Sequence, residues 1–329
     1  MQLFNGLEYM YIALANAAGK DDLTWNKRIS WGKKLFENGA TEGETIPEPY
    51  LFVKTRNHIE KALNKIPTGY TMGLDCTASG LQIIAALTGC KKTAERVNLV
   101  DTGRREDAYR FTANTMNKKY GTSVTRKEVK TPMMTTFYNS TAKPKELFGE
   151  DTPELKAYYD TLNEYFPGAM EYLQATQGCW NSDAYSHSWT LPDGQRAECK
   201  VMSYEDKKVE VQELGKSTFT YRTLVNKPDD FGLSLPANIV QSVDAYIVRR
   251  MILGAKELGF DLYCIFDSFW ASPNHINDVR MLFRNILIEI ADSNLLEDIL
   301  NEITGGNGIY VKRSKDLSTY IFNSEYLIC

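Results

Sequence analysis

The sequence predicts an α+β fold, and three observations carry that prediction. Apolar residues recur at helical spacing through most of the chain. A short apolar approach, Tyr70, Met72 and Leu74, ends in Asp75, then small residues, then the apolar run Leu81-Gln82-Ile83-Ile84-Ala85-Ala86-Leu87. This reads as a buried strand with an acid at its carboxyl end, a tight turn and a helix. Third, two stretches alternate like hairpins: 208–222 around Gly215, and Phe260 to Ala271 with Asp267-Ser268 at the tip.

In chain order, Gln2 to Ala18 reads as a helix, broken at Gly19-Lys20-Asp21-Asp22. Thr24 is placed to cap a second helix, Trp25 to Glu37, and Pro49 to Leu63 forms a third, after a loop at 39–49. Arg96 to Val100 reads as short and extended. Asp107 to Tyr120 is helical and stops at Gly121. Pro153 to Leu173 is helical with an interruption at Pro167-Gly168, and Ser188 to Gln195 is a strand entering a turn. Asn238 to Leu258 and His275 to Ile290 are helices, the second with an acidic, solvated continuation.

Composition narrows the function classes. A chain of 329 residues can bury a large core, and 43% hydrophobic with 24% charged residues is the balance of a soluble globular protein. No run approaches the ~18 apolar residues of a membrane helix, and the start resembles neither a signal nor a transit peptide. No membrane partner is expected. Six scattered cysteines without C-x-x-C spacing predict reduced thiols in a cytoplasm, and three distant histidines argue against zinc. The net charge of −4 conceals an asymmetry: residues 91–145 hold 13 lysines and arginines against 5 acids. That segment suits either a local polyanion site or a solvated helical face.

A carboxylate is costly to bury unpaired, so Asp75 calls for a cation; by itself it also suits the cap of the next helix. Arg126, Lys130, Met134 and Tyr138 share one face if 126–138 is a single helix, although Pro132 should kink it. Two cations and an aromatic on one face suit a nucleoside triphosphate, and equally an ordinary basic surface. Asp75 and Asp267 can meet only if their strands are neighbours. Together they could hold two magnesium ions, which favour a few carboxylates plus substrate phosphates. Such a pair, about 3.5–4 Å apart, performs nucleotidyl transfer.

Here the sequence resembles a known family. Asp75-Cys76-Thr77-Ala78-Ser79-Gly80-Leu81-Gln82 is similar to the first motif, D-G-S-x-S-G-x-Q, of the single-subunit RNA polymerases of bacteriophages and mitochondria. Arg126, Lys130 and Tyr138 match its second motif in register, and Phe266-Asp267-Ser268-Phe269 resembles its third, H-D-S-F. Asn238 to Asp244 resembles N-F-V-H-S-Q-D, residues 18–29 resemble the segment upstream of the first motif, and Ile321 to Cys329 resembles the terminal foot.

The resemblance implies a right-hand polymerase palm with an antiparallel sheet and mostly helical fingers, the thumb and amino-terminal domain being absent. Residues 1–103 would form the first part of the palm. Residues 104–236 would form the fingers, with a specificity-loop-like hairpin at about 199–236. Residues 237–329 would complete the palm and foot. It further implies that Asp75 and Asp267 bind two Mg²⁺ ions with the Cys76 carbonyl, and that Arg126 and Lys130 hold the triphosphate. Lys130 and Tyr138 would serve catalysis, and Gly80, Tyr138 and Gln241 would select ribose. The expected partners are a DNA template, the RNA product, ribonucleoside triphosphates and a second subunit carrying thumb and amino-terminal functions. That subunit would dock on an apolar face including Trp25, Trp31 and Phe36. The implied setting is the cytoplasm of an infected bacterial host. The chain departs from the motifs at Phe266 and Gln241, each in place of histidine, at Asn139 in place of glycine, and at Asp22 in place of lysine. Rival readings are a DNA polymerase or primase-like relative, discriminated by sugar preference, and a non-catalytic nucleic-acid-binding palm.

Overall fold

The computed structural model describes residues 1–39, 45–230, 234–308 and 310–329. Part of the loop expected at 39–49, and positions 231–233 of the segment 199–236, therefore lie outside the described residues. The chain opens with α1 (Gly6–Ala17), α2 (Trp25–Asn38) and α3 (Pro49–Leu63). α1 begins later than the apolar pattern suggests because Asn5 caps it. The Asn5 side chain accepts from the Glu8 N–H, and the Glu8 carboxylate accepts from the Asn5 N–H. This reciprocal box satisfies two otherwise orphaned donors.

The central sheet follows from two short stretches far apart in sequence. β1 (Met72–Asp75) leads through a turn into α4 (Ser79–Thr88). Ala78, at the head of α4, is left-handed with φ 62°. A small side chain limits the steric cost there. α5 (Lys91–Arg96) comes next, so the extended stretch expected at 96–100 is a helix end and a turn. The physical reason is local pairing. Asn98 is left-handed (φ 61°), accepts from the Glu106 N–H at 2.7 Å and donates to the Glu106 carbonyl at 2.9 Å. That closes a loop where a strand would need an open edge.

The basic region is helical: α6 (Ala108–Tyr120), α7 (Arg126–Thr136), α8 (Ala142–Phe148), α9 (Pro153–Tyr165) and α10 (Pro167–Gly178). α7 runs through Pro132, whose ring is buried. Two hairpins follow, β2 (Ser186–Thr190) with β3 (Arg196–Lys200), and β4 (Met202–Val211) with β5 (Ser217–Asn226). The second hairpin is largely exposed on both faces. α11 (Leu235–Leu258) then leads to β6 (Tyr263–Ile265) and β7 (Ser268–Ala271), and α12 (Ile276–Asp292), α13 (Leu295–Thr304) and α14 (Leu317–Asn323) complete the chain.

β7 lies between β1 and β6, antiparallel to both, with Leu74 opposite Phe269 and Asp75 opposite Ser268. Period-2 alternation buries Met72, Leu74, Phe269 and Ala271 on one face. Phe269 meets Phe283 of α12 with ring centroids 5.9 Å apart. The other face carries Gly73, Asp75, Ser268 and Trp270. The chain end joins this unit: Cys76 pairs with Ile328, and the Cys329 N–H donates to the Asp75 carbonyl at 3.0 Å. Gln82, fully buried, donates to the carbonyls of Val97 and Leu327 at 2.9 and 2.8 Å.

The docking face expected at Trp25, Trp31 and Phe36 is not an exposed apolar surface. Trp25 is fully buried, stacked on Tyr326 at 5.6 Å, with its indole N–H donating to the Glu325 carbonyl. Phe36 packs on Tyr11, and Trp31 lies beneath the ammonium groups of Lys20 and Lys34. The terminal segment folds back over Trp25, and α1 covers Phe36.

Candidate active site

A cleft of about 600 Å³ opens over the exposed end of the sheet. Asp75 closes β1 and is exposed, and Asp267 sits in the turn between β6 and β7, half-buried. Their strands are direct neighbours, and the Cys76 N–H donates to the Asp267 carbonyl at 3.2 Å. Neither carboxylate forms a side-chain hydrogen bond or ion pair among the described residues. Asp75 does not cap α4; Ala78 occupies that position without a side-chain cap bond. The Cys76 thiol is pushed well up by burial and then by the charges of Asp267, Asp244 and Asp75. Phe266, beside Asp267, is left-handed (φ 53°) and 85% exposed.

The opposite wall is basic and helical. Arg126, Lys130 and Met134 from α7 line the cleft, as do Phe137 and Tyr138 just beyond its end. Tyr138 is thus not on the helix, yet it reaches the same cavity as the residues four and eight positions before it. Asn139 is left-handed (φ 68°), a conformation asparagine tolerates, and the Gln177 amide donates to its side chain. This accounts for asparagine where the family motif has glycine. Arg126 Nε donates to Asp107 Oδ2 at 2.6 Å. Burial raises the Asp107 carboxyl, but hydrogen bonds from the Arg110 N–H and from Arg126 outweigh it and hold the group below its ordinary range. Asp22 and Asp21 pair with Arg110 and Arg105 at 3.4 and 3.1 Å. The acid found where lysine was expected is thereby matched by an arginine from α6.

Gly80 lies against the Tyr138 ring tip at the edge of the cleft. A Cβ at Gly80 would stand 3.0 Å from the Tyr138 hydroxyl oxygen and 3.7 Å from a Val240 methyl. The fit leaves no room for a side chain without moving the tyrosine. The structure places Gln241 on α11, exposed and, like Val240 and Asp244, outside the residues that line the cleft. Val240 and Asp244, four positions apart, share the face of α11 nearest to it. Asp244 is the residue that sequence reasoning missed. Burial, then Asp267, pushes its carboxyl up to about 6, and its charge together with that of Asp267 raises Tyr138, after burial. Its place four residues after Val240 was the available signal.

The donor set fits magnesium in part. Among the described residues no cluster of three or more histidine, cysteine or acidic side chains has metal-binding geometry. Two carboxylates without cationic partners, beside a backbone carbonyl at Cys76, remain. Magnesium needs only one or two carboxylates, with water and phosphate oxygens filling the other positions. The arrangement can gather a divalent cation on one wall and a polyphosphate on the other, with a tyrosine and a side-chain-free glycine between them.

The class of protein follows from comparison with known sequences. The profile of the family described as DNA-dependent RNA polymerase matches residues 4–147 and 182–320, and the chain belongs to that family. It is similar to DNA-directed RNA polymerase 1B, mitochondrial, of Nicotiana tabacum, 23% identical over 90% of this chain and 35% of the relative. Similarity to DNA-directed RNA polymerase 2, chloroplastic/mitochondrial, of Arabidopsis thaliana is 22% with the same coverage. The chain thus spans about a third of the length of the curated relatives it matches. These plant organellar relatives overturn the expected setting in the cytoplasm of an infected bacterial host. That expectation rested on the likeness to bacteriophage polymerases, with unpaired cysteines adding only a reducing cytoplasm, and all six are free in the structure. Free thiols report redox chemistry and do not distinguish one reducing compartment from another.

Proposed function

We propose that this chain is the catalytic module of a DNA-templated RNA polymerase, with residues 1–103 and 237–329 as palm and 104–236 as fingers. The observation that carries the reading is the antiparallel pairing of β1 with β7. It sets Asp75 and Asp267 side by side, facing Arg126, Lys130 and Tyr138 across one cleft. In this reading Asp75, Asp267 and the Cys76 carbonyl would hold two Mg²⁺ ions, which when bound would supply Lewis-acid activation of the attacking hydroxyl and of the leaving oxygen. Lys130 and Arg126 bind the triphosphate and stabilise charge that develops on the departing pyrophosphate. Tyr138 lies beside the sugar of the incoming nucleotide. Gly80, which adds no side chain beside the Tyr138 hydroxyl, and Gln241 are the other groups of the ribose-selecting set.

A DNA template, an RNA 3′ end and ribonucleoside triphosphates are the substrates of this proposal. It extends to a second polypeptide bearing thumb and amino-terminal functions, docked elsewhere than on Trp25, and tested by co-purification. The direct experiment is extension of an RNA primer annealed to a DNA template, with magnesium and either ribo- or deoxyribonucleotides. Preferential ribonucleotide addition is expected. Equal use of both, or no addition by protein that binds the scaffold, would contradict it.

A further inference from the structure

Asp107 uses its two oxygens for separate tasks. Oδ1 accepts from the N–H groups of Tyr109 and Arg110, both at 3.0 Å, and so caps α6. Oδ2 accepts from Arg126 Nε at 2.6 Å. No other hydrogen bond is made by that guanidinium among the described residues. A guanidinium carries five N–H donors in one plane. With the Nε edge occupied, the two Nη groups remain as the fork that grips paired phosphate oxygens. Tyr109 adds a side wall. Its ring centroid lies 5.6 Å from the Arg126 guanidinium and 6.0 Å from the Lys130 ammonium.

We propose that Asp107 is a positioning residue for triphosphate binding, holding the Nε edge of Arg126 so that its Nη fork faces the cleft, with Tyr109 bracing both cations. The inference rests on the reading of the cleft as a triphosphate site. Asp107 itself repels phosphate and acts only through Arg126. A surface arginine left to itself would sample many rotamers and lose that freedom on binding. The cap fixes Asp107 to the first turn of α6, and Asp107 fixes the arginine of α7. Each of the two helices thus supplies one half of the device. Lysine at 126 could not be aimed in this way, because an ammonium has no second edge to hold.

Asparagine caps a helix as well as aspartate does. Asp107→Asn therefore keeps the cap, while its amide group cannot accept from Arg126. The test is equilibrium dialysis of ATP and of AMP, each with magnesium, against the full chain and this variant. The expected result is an unchanged unfolding midpoint, ATP affinity weakened about tenfold, and AMP affinity within twofold of the starting protein. Arg126→Lys should weaken ATP binding similarly, and adding Asp107→Asn to it should cost little more. ATP affinity of Asp107→Asn within twofold of the unaltered chain would overturn the proposal, as would fully additive losses in the double variant. An unaltered chain that binds no ATP would overturn the triphosphate reading of the cleft, a different failure.

Discussion

On the sheet wall of the cleft, Asp75 and Asp267 stand without side-chain partners among the described residues, whereas on the helical wall every arginine lining the cleft is paired with an acid. Arg96, Arg105, Arg110 and Arg126 meet Glu95, Asp21, Asp22 and Asp107. The difference follows from how each wall fixes a charge. Strand pairing sets the Cα positions of β1 and β7, and an aspartate side chain is too short to wander far from them. A long arginine keeps several rotamers open and needs a partner to be placed. The sheet wall therefore holds unneutralised negative charge in position, and the helical wall holds positive charge that has been oriented beforehand. The sheet wall lacks a cation, while the helical wall carries its own acids.

Breaking the sheet wall should have the largest effect. Asp75→Asn and Asp267→Asn each remove one of the two bare carboxylates with almost no change of shape. Nucleotide addition should fall by about 10³-fold or more, the several kcal/mol that a metal supplies to a charged transition state. Scaffold binding and the unfolding midpoint should hold, as gel-shift and thermal-melt measurements would register. Near-normal synthesis by either variant would remove the asymmetry between the walls.

Breaking the helical wall should cost less. Lys130→Ala and Arg126→Ala each delete a charged hydrogen-bond donor worth about 1.5–3 kcal/mol, or about 10- to 150-fold in kcat/KM for nucleotide. Single-nucleotide extension kinetics would measure it. Between the walls, Gly80→Ala places a carbon 3.0 Å from the Tyr138 hydroxyl and should lower kcat/KM only a few-fold. Gly80→Glu should exclude ribonucleotides selectively, and Tyr138→Phe should admit deoxynucleotides. Competition between ribo- and deoxynucleotides on one scaffold reads both.

The smallest expected effect concerns stability. Asp244 rises from 3.8 to about 6 in the folded protein, through burial and then the charge of Asp267. The native state then holds this proton where the unfolded chain has released it. Stability falls as pH rises from about 4 to about 6 and stays lower above that. Asp244→Asn should stabilise the protein by about 1–2 kcal/mol at pH 7.5, after discounting for partial exposure, and by nothing below pH 4. Urea unfolding at both pH values tests the sign.

Much of this was legible in the sequence because it is local. The strand ending in Asp75, the hairpin carrying Asp267, and Arg126 and Lys130 one helical turn apart are short-range patterns, and each is present in the structure. What sequence did not yield depends on long-range contact. The turn at 97–98 is held by Asn98 pairing with the backbone of Glu106, which no propensity encodes. Trp25 by itself suits core packing better than docking, and the partner it packs on, Tyr326, comes from the far end of the chain. Which positions of α11 stand nearest the cleft is fixed by the packing of Val240 against Gly80, a contact between distant parts of the chain. Asp107 is hidden in sequence for a related reason: its partner Arg126 belongs to the next helix.

The most direct test of the central claim, that β1 and β7 build one metal site from two bare carboxylates, is Mn²⁺ binding followed by electron paramagnetic resonance in the presence of ATP. Manganese stands in for magnesium and reports occupancy without requiring template or transcript. The account predicts Mn²⁺ binding by the unaltered chain that is lost or weakened at least about tenfold in both Asp75→Asn and Asp267→Asn. Binding that survives unchanged in either variant would contradict it.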